Sequence, residues 1–372
     1  MLQQQKYISL IGKSLKSPIV LASMAGVTDA NYVLEREPHI GLAFIGGYNI
    51  DESSNNASIM MVKSGRHEFE YGLDRIITEL EFLKDSDICI GVNLRGSSVE
   101  SYINAAHKLG KHIIYEIDAH CRQKPMIDAH CGEYLIQHGI DTLCEIVKAL
   151  HDYGVTVSVK FRCGITDERA LSRKLWNAGA DILHIDLMDE GHSKIRQIRN
   201  SCPLVIIANN GITNPEKMMD MFSHGADLVS IARSSDNHTL TNLDTYIQDY
   251  TKNNGWYNAP KQLCRGGDLR SLTFCCMPVK QCPLIQTLKT IKISNQEYTT
   301  LKKGLSKGLP IELGSHTCFG SLIWCCKSSS PCMFRDMTLK SLSISKIEYM
   351  NFKHQLSNGI MEYLFDKCDT KQ

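Results

Sequence analysis

Eight short apolar runs recur along the first two thirds of this chain, and their spacing is the feature that most limits its fold. Each run is nearly continuous and rich in β-branched residues, which is typical of strands buried on both faces of a parallel sheet. Stretches with helical patterning separate the runs. The predicted strands cover residues 18–22, 42–46, 88–94, 113–117, 155–161, 181–185, 204–208 and 227–231.

Helix signals fall between these strands. The pattern predicts helices over 29–36, 74–83, 99–109, 134–153 and 167–178, and Asn214-Pro215 begins another that ends at Gly225. Eight β/α units over about 240 residues match a (β/α)8 TIM barrel in length and order. The alternative, an open doubly wound sheet, requires a Gly-rich phosphate loop after its first strand. Residues 23–29 lack that loop, so the barrel is favoured.

The longest connection follows the second predicted strand and covers residues 47–72. A loop of this length is usually functional or mobile. Because it leaves the carboxyl end of a strand, we expect it on the face of the barrel that carries active sites.

The residues at the carboxyl ends of the strands are the candidates for function, because active sites of such barrels lie there. These residues are Ser23, Met24, Ala25, Asn93, Asp118, His120, Cys121, Lys160, Arg162, His184, Asn209, Asn210, Gly211, Ala232, Arg233 and Ser234. The ends of the last two strands commonly bind phosphate. We expect backbone N–H groups of Asn210 and Gly211, with the guanidinium of Arg233, to bind a dianion there.

Lys160 and Cys121 stand out within this set. Lys160 ends an apolar strand, where an uncompensated charge is costly, so it predicts an anionic group in the barrel mouth. The alternative is an ion pair with a strand-end carboxylate such as Asp118. Cys121 lies between His120 and Arg122, which favours a reactive thiolate. The alternative is a buried structural cysteine.

The barrel pattern ends near Trp256, where the chain becomes rich in cysteine. The hexapeptide SLTFCC with a following Cys282 recurs as SLIWCC with a following Cys332, and each half has one further cysteine upstream. The sequence therefore predicts a barrel domain over 1–255 and a cysteine-rich domain over 256–372 that ends in a helix. In a reducing compartment, such clusters more often bind metal than form disulfides. The predicted ligands are Cys264, Cys275, Cys276, Cys282, Cys318, Cys325, Cys326 and Cys332.

The identity of the metal stays open. Four thiolates in each half fit the ligation of 4Fe–4S clusters. Zinc is the alternative, but structural zinc usually uses C-x₂₋₄-C pairs, which this segment lacks. A cysteine-rich domain without metal is the third possibility.

Charge divides along the same boundary. Residues 256–372 contain 16 Lys and Arg against 8 Asp and Glu, whereas the whole chain carries a net charge of only +1. A basic segment on an acidic body indicates an anionic partner. Alternatively, the positive charge offsets anionic metal–thiolate centres in the same segment.

Several blocks of the barrel resemble the tRNA-dihydrouridine synthase family. They read IVLASMAGVTD at 19–29, VSVKFR at 157–162, NNGI at 209–212 and GADLVSIAR at 225–233. The resemblance implies an FMN-binding barrel in which reduced flavin passes hydride to a uracil ring. It implies that Cys121 is the proton donor. The implied flavin-binding residues are Ser23, Met24, Ala25, Asn93, Lys160, His184, Asn209, Asn210, Gly211, Ala232 and Arg233.

The chain also departs from that family. The usual catalytic motif Asn-x-Gly-Cys-Pro is replaced by DAHCR at 118–122, which resembles an archaeal subgroup of FMN barrels. The C-terminal repeat resembles a domain called methanogenesis marker nine, found in methanogenic archaea. We expect an FMN-dependent oxidoreductase with an iron–sulfur relay. The alternative is a non-catalytic flavin and iron–sulfur electron carrier or maturation factor that docks a redox partner protein.

Residues 1–16 do not resemble a signal peptide, and no run approaches the ~20 apolar residues that cross a bilayer. We therefore expect a cytoplasmic protein without membrane contact.

The metal prediction is testable on anaerobically purified protein. We expect iron and sulfide in the amounts that two Cys₄ half-sites require, together with flavin absorbance. Elemental analysis for iron and zinc checks this, and an ordered protein free of both metals would contradict it.

Overall fold

Eight parallel strands close into a barrel in the computed structural model, which describes residues 9–254, apart from 200 and 203, and four isolated positions between 294 and 304. A two-stranded antiparallel hairpin precedes the barrel. The strands are β1 Ser9–Leu10, β2 Lys13–Ser14, β3 Ile19–Leu21, β4 Leu42–Asn49, β5 Cys89–Arg95, β6 Ile114–Ala119, β7 Thr156–Arg162, β8 Ile182–Asp186, β9 Val205–Asn209 and β10 Leu228–Ile231.

The helices surround the barrel on its outer side. They are α1 Ala30–Leu34, α2 Glu52–Lys63, α3 Leu73–Phe82, α4 Val99–Leu109, α5 Lys124–Asp128, α6 Tyr134–Gln137, α7 Ile140–Tyr153, α8 Glu168–Ala178, α9 Ser193–Arg199, α10 Pro215–His224 and α11 Asn237–Asn254, with a short 3₁₀ helix at Glu37–His39. None of the helices in this part of the chain is long and apolar enough to cross a membrane.

The predicted barrel is confirmed. The eight apolar runs form β3 to β10 in chain order, and β10 pairs with β3 through Val229 and Ile19 to close the sheet. Strands β4, β5 and β6 are buried along their whole length, and β7 is buried except at its first residue. The predicted cysteine-rich domain and its terminal helix lie outside the described residues.

Two predicted elements differ from the structure. The helix predicted over 134–153 is divided into α6 and α7 by a break at His138 and Gly139. The connection over 47–72, predicted as a loop, contains the three-turn helix α2. Its start is fixed by a capping box, in which Asp51 Oδ1 accepts the N–H of Ser54 at 2.8 Å. The prediction was wrong because α2 leaves Ile59, Met60 and Val62 exposed, so its apolar residues form no clear buried stripe.

A carboxylate lies at the centre of the barrel. Glu116 on β6 has no exposed side-chain surface. Its Oε1 accepts from Asn93 Nδ2 at 2.8 Å, and its Oε2 accepts from Ser158 Oγ at 3.2 Å and His184 Nδ1 at 2.7 Å. On the far side of the ring, His184 Nε2 meets Ser230 Oγ at 2.7 Å. This polar network joins five of the eight barrel strands.

The network keeps Glu116 ionised. Burial alone would raise the pKa of this carboxyl, but His184, Lys160 and Asn93 outweigh burial and hold it below its usual value. For His184, burial lowers the pKa and outweighs the opposing effect of Glu116, so the ring is neutral. A neutral ring donates from Nδ1 to the carboxylate and accepts the Ser230 hydroxyl at Nε2.

We expect Glu116→Ala to lower the free energy of unfolding by about 3–5 kcal/mol, because it leaves buried donors without an acceptor. Denaturant unfolding followed by near-UV circular dichroism measures this. The exposed Glu145→Ala on α7 is the control and should change stability by less than about 0.5 kcal/mol. Equal effects of the two substitutions would contradict the role of the network.

Candidate functional site

A cleft of about 540 Å³ opens at the carboxyl ends of the barrel strands. This volume lies within the range of about 300–1,000 Å³ usual for cofactor and ligand sites. Most of the residues predicted from the sequence line this cleft. They are Ser23, Met24, Ala25, Asn93, Asp118, His120, Cys121, Lys160, Arg162, Asn209, Ala232 and Arg233.

Four predicted residues do not line the cleft, namely Asn210, Gly211, His184 and Ser234. Asn210 and Gly211 lie beside it, and the carbonyl of Gly211 accepts from Lys217 Nζ at 3.2 Å. His184 is fully buried in the barrel interior, where it bonds Glu116. Lys160 and His184 are paired in register on adjacent strands. Only the longer lysine side chain reaches from this level to the mouth.

Lys160 projects its ammonium to the cleft floor. Nζ donates to the carbonyl oxygen of Ser23 at 3.2 Å and to its Oγ at 3.0 Å. In the part of the chain that the structure describes, Lys160 forms no ion pair, so the alternative pair with Asp118 is not made. An ammonium has three N–H donors, which leaves one for a ligand in the cleft.

Asp118 pairs instead with Arg95, a residue that the sequence reasoning missed. Arg95 Nε donates to Asp118 Oδ2 at 3.0 Å, and Nη1 donates to Glu68 Oε2 at 2.6 Å. All three side chains are almost fully buried. Burial would raise the pKa of Asp118, but Arg95, His120 and Lys160 outweigh it and lower that pKa. Strand alternation could have identified Arg95 as a site residue, because it lies two residues after Asn93 and points to the same face of the strand.

The backbone around Cys121 is fixed from two sides. Asp118 Oδ1 accepts the N–H groups of His120 and Cys121, each at 3.0 Å. The carbonyl of Cys121 accepts the N–H of Glu133 at 2.9 Å. Gly132 packs against this carbonyl with φ of +62°, and a Cβ there would lie 2.3 Å from the oxygen. Only glycine fits this approach, so the Cys121 loop is held in place.

The thiolate expected at Cys121 is not supported by its surroundings. Burial raises the pKa of this thiol, Arg95 opposes the rise and Asp118 adds to it, with a net increase. The flanking His120 is engaged elsewhere, because its Nε2 lies 3.0 Å from Asp186 Oδ2. Asp186 is a second cleft residue that the sequence reasoning missed. Cys121 therefore keeps its proton at neutral pH.

The rim of the cleft is cationic. Arg66, Arg122 and Arg233 are exposed lining residues, and within the described ranges they form no ion pairs. Gly47 lets its backbone lie close to Asn93 in the cleft, because a Cβ at this position would be 2.7 Å from Asn93 Oδ1. A buried ammonium at the floor and guanidinium groups at the rim suit a flat heteroaromatic ring that carries a phosphate. The residues present therefore fit flavin mononucleotide.

Residues 77–259 match the family model described as Dihydrouridine synthase (Dus). Two uncharacterised proteins of Methanocaldococcus jannaschii are similar to this chain. MJ0115 is 49% identical over 107 residues, which are 29% of this chain and 69% of that protein. MJ0144 is 27% identical over 234 residues, which are 59% of this chain and 90% of that protein.

Two solved structures align with part of this chain. A FabK mutant from Thermotoga maritima aligns with a TM-score of 0.41 and 15% identity, over 59% of this chain and 63% of that chain. A tryptophan synthase complex from Pyrococcus furiosus aligns with a TM-score of 0.42 and 10% identity, over 60% of this chain and 95% of that chain.

We expect alkylation of Cys121 by iodoacetamide to be slow at pH 7 and to accelerate only above the ordinary thiol range, because burial favours the protonated form. Arg95→Met should move this rise to still higher pH, since the guanidinium lowers the thiol pKa. Mass spectrometry of the Cys121 peptide measures the rate, with glutathione as the reference thiol. A rate already maximal at pH 7 would show a thiolate and contradict the prediction.

Proposed function

We propose that this chain, whose residues 77–259 match the dihydrouridine synthase model, is an FMN-dependent reductase that uses Cys121 as its proton donor. At the level of the family it is a flavin-dependent oxidoreductase. The observation that carries the finer proposal is the convergence of a buried ammonium and a protonated thiol on one cleft.

Different residues of the cleft would bind the ring and the phosphate of FMN. Lys160 would face the electron-rich edge of the flavin ring, where its free N–H donor stabilises negative charge. Arg233, at the end of β10, would bind the phosphate, with the backbone after β9 beside it. When bound and reduced, FMN supplies hydride.

Cys121 holds the proton that completes the reduction. Addition of one hydride and one proton saturates a C=C bond that is conjugated with a carbonyl, as in uracil. The raised pKa of Cys121 keeps the proton on Sγ until negative charge develops on the substrate. Asp118 fixes the backbone of this residue, and Arg95 balances the charge of Asp118. The pair thus positions the thiol without removing its proton.

The proposed substrate is a uridine of tRNA. Arg66 and Arg122 at the rim would contact phosphates, and the excess of basic residues over 256–372 would favour a polyanion such as tRNA. His120 and Arg122 replace the residues usual beside the catalytic cysteine of this family. They therefore set the part of the site in which the substrate preference of this chain would differ.

The electron supply is the second part of the proposal. The eight cysteines between Cys264 and Cys332 would hold iron–sulfur clusters that pass single electrons to the flavin. The methanogen association belongs to the same proposal. Its support is the C-terminal repeat and the origin of both curated relatives in Methanocaldococcus jannaschii.

We expect Cys121→Ala to slow single-turnover reoxidation of the reduced flavin by unmodified tRNA by about 10²–10⁴-fold, because it removes the general acid. Flavin content and spectrum should not change. Cys144→Ala on α7, outside the cleft, is the matched control and should leave the rate unchanged. A wild-type rate in Cys121→Ala would contradict the role of Cys121, and absence of tRNA-dependent reoxidation in the wild type would favour an electron carrier.

Mass spectrometry of tRNA from a deletion strain tests the substrate. Loss of dihydrouridine at defined positions, restored by the wild-type gene and not by Cys121→Ala, is the expected result. Undiminished dihydrouridine in a strain without another such enzyme would exclude tRNA as the substrate. It would not contradict flavin-dependent reduction of a different substrate.

A further inference from the structure

Three metal-ligating side chains converge on the outer helical layer, away from the cleft. His192 immediately precedes α9, and Asp220 and His224 lie on α10. The spacing of four residues puts Asp220 and His224 on one face of their helix, one turn apart. One donor atom from each residue lies within 4.8 Å of the others. None of the three lines the cleft.

The carboxylate of Asp220 lies between the two imidazoles. Its Oδ2 contacts His192 Nδ1, and its Oδ1 is 3.3 Å from His224 Nδ1. The ring centroids are 6.0 Å apart at an interplanar angle of 67°. His224 Nδ1 also lies 2.9 Å from the carbonyl oxygen of Asp220 and 3.2 Å from Ser223 Oγ, and these contacts orient the ring.

We propose that His192, Asp220 and His224 form a site for a divalent transition-metal ion of the zinc class. Two imidazoles and one carboxylate are a donor set that such ions prefer, whereas calcium and magnesium take oxygen ligands. Tetrahedral zinc with bonds of about 2.0–2.1 Å needs neighbouring donors about 3.3 Å apart. Donor atoms that lie within 4.8 Å of one another are already close to this spacing.

The exposure of the three residues defines the kind of site. Their side chains are 30%, 42% and 21% exposed, so solvent reaches the ion from one side. Three protein ligands leave the fourth position for water. The ion would join the segment before α9 to α10, the two helices that flank β9. It would bind independently of the flavin, and this inference does not rest on the proposed function.

The test uses the full chain and Co²⁺ as the probe, because cobalt reports its ligands in its spectrum. Equilibrium dialysis should show one ion fewer per chain in His192→Ala/His224→Ala than in the wild type. The wild-type minus variant spectrum should contain the cobalt ligand-field bands without a thiolate charge-transfer band, which separates this ion from any held by cysteines. His238→Ala, an exposed histidine on α11, is the matched control and should keep the wild-type count.

A second measurement needs no variant. Zn²⁺ should slow diethyl pyrocarbonate modification of His192 and His224 in the wild-type protein at least tenfold, as read from their peptides, with His238 unprotected. Equal ion counts in the wild type and the double variant, or a difference spectrum with thiolate character, would overturn the site. Absence of protection by Zn²⁺ would overturn it as well.

Discussion

The buried carboxylate of Glu116 is the constraint on which the barrel depends. A charge in a barrel interior is tolerated only when several donors surround it, and here they come from β5, β7 and β8. Each donor occupies a fixed height on its strand, so the network specifies the register of the sheet as well as contributing to its stability. Lys160 lies at the same level and adds its positive charge to the set.

Between the Glu116 network and the mouth of the cleft lies a second group of charged side chains, centred on Asp118. Asp118 is two residues beyond Glu116 on the same strand and therefore points to the same side, nearer the mouth. Its carboxylate binds both Arg95 and the backbone of the Cys121 loop. A neutral asparagine, usual at this position in the family that the sequence resembles, would hold the loop without needing a cation. In this chain the aspartate and Arg95 form a matched pair.

The sequence predicted the barrel because each strand is a continuous apolar run. Such a run can be recognised without knowing which strands it pairs with. The sequence also predicted most of the cleft, since the carboxyl ends of the strands meet at one face. It placed His184 incorrectly among the cleft residues, because alternation tells which side chains point inward but not how far each reaches. It missed α2, in which Ile59, Met60 and Val62 are exposed, and it missed Glu68, whose partner Arg95 is 27 residues away.

The salt bridge between Glu68 and Arg95 has a consequence for how this protein can vary. Glu68 lies in the connection after α2, a kind of segment that usually tolerates insertions and substitutions freely. Here one of its side chains neutralises a guanidinium that also supports Asp118. Substitutions at positions 68, 95 and 118 are therefore expected to be coupled. Across descendants of this sequence the three should be kept or exchanged together, while neighbouring residues of the connection drift.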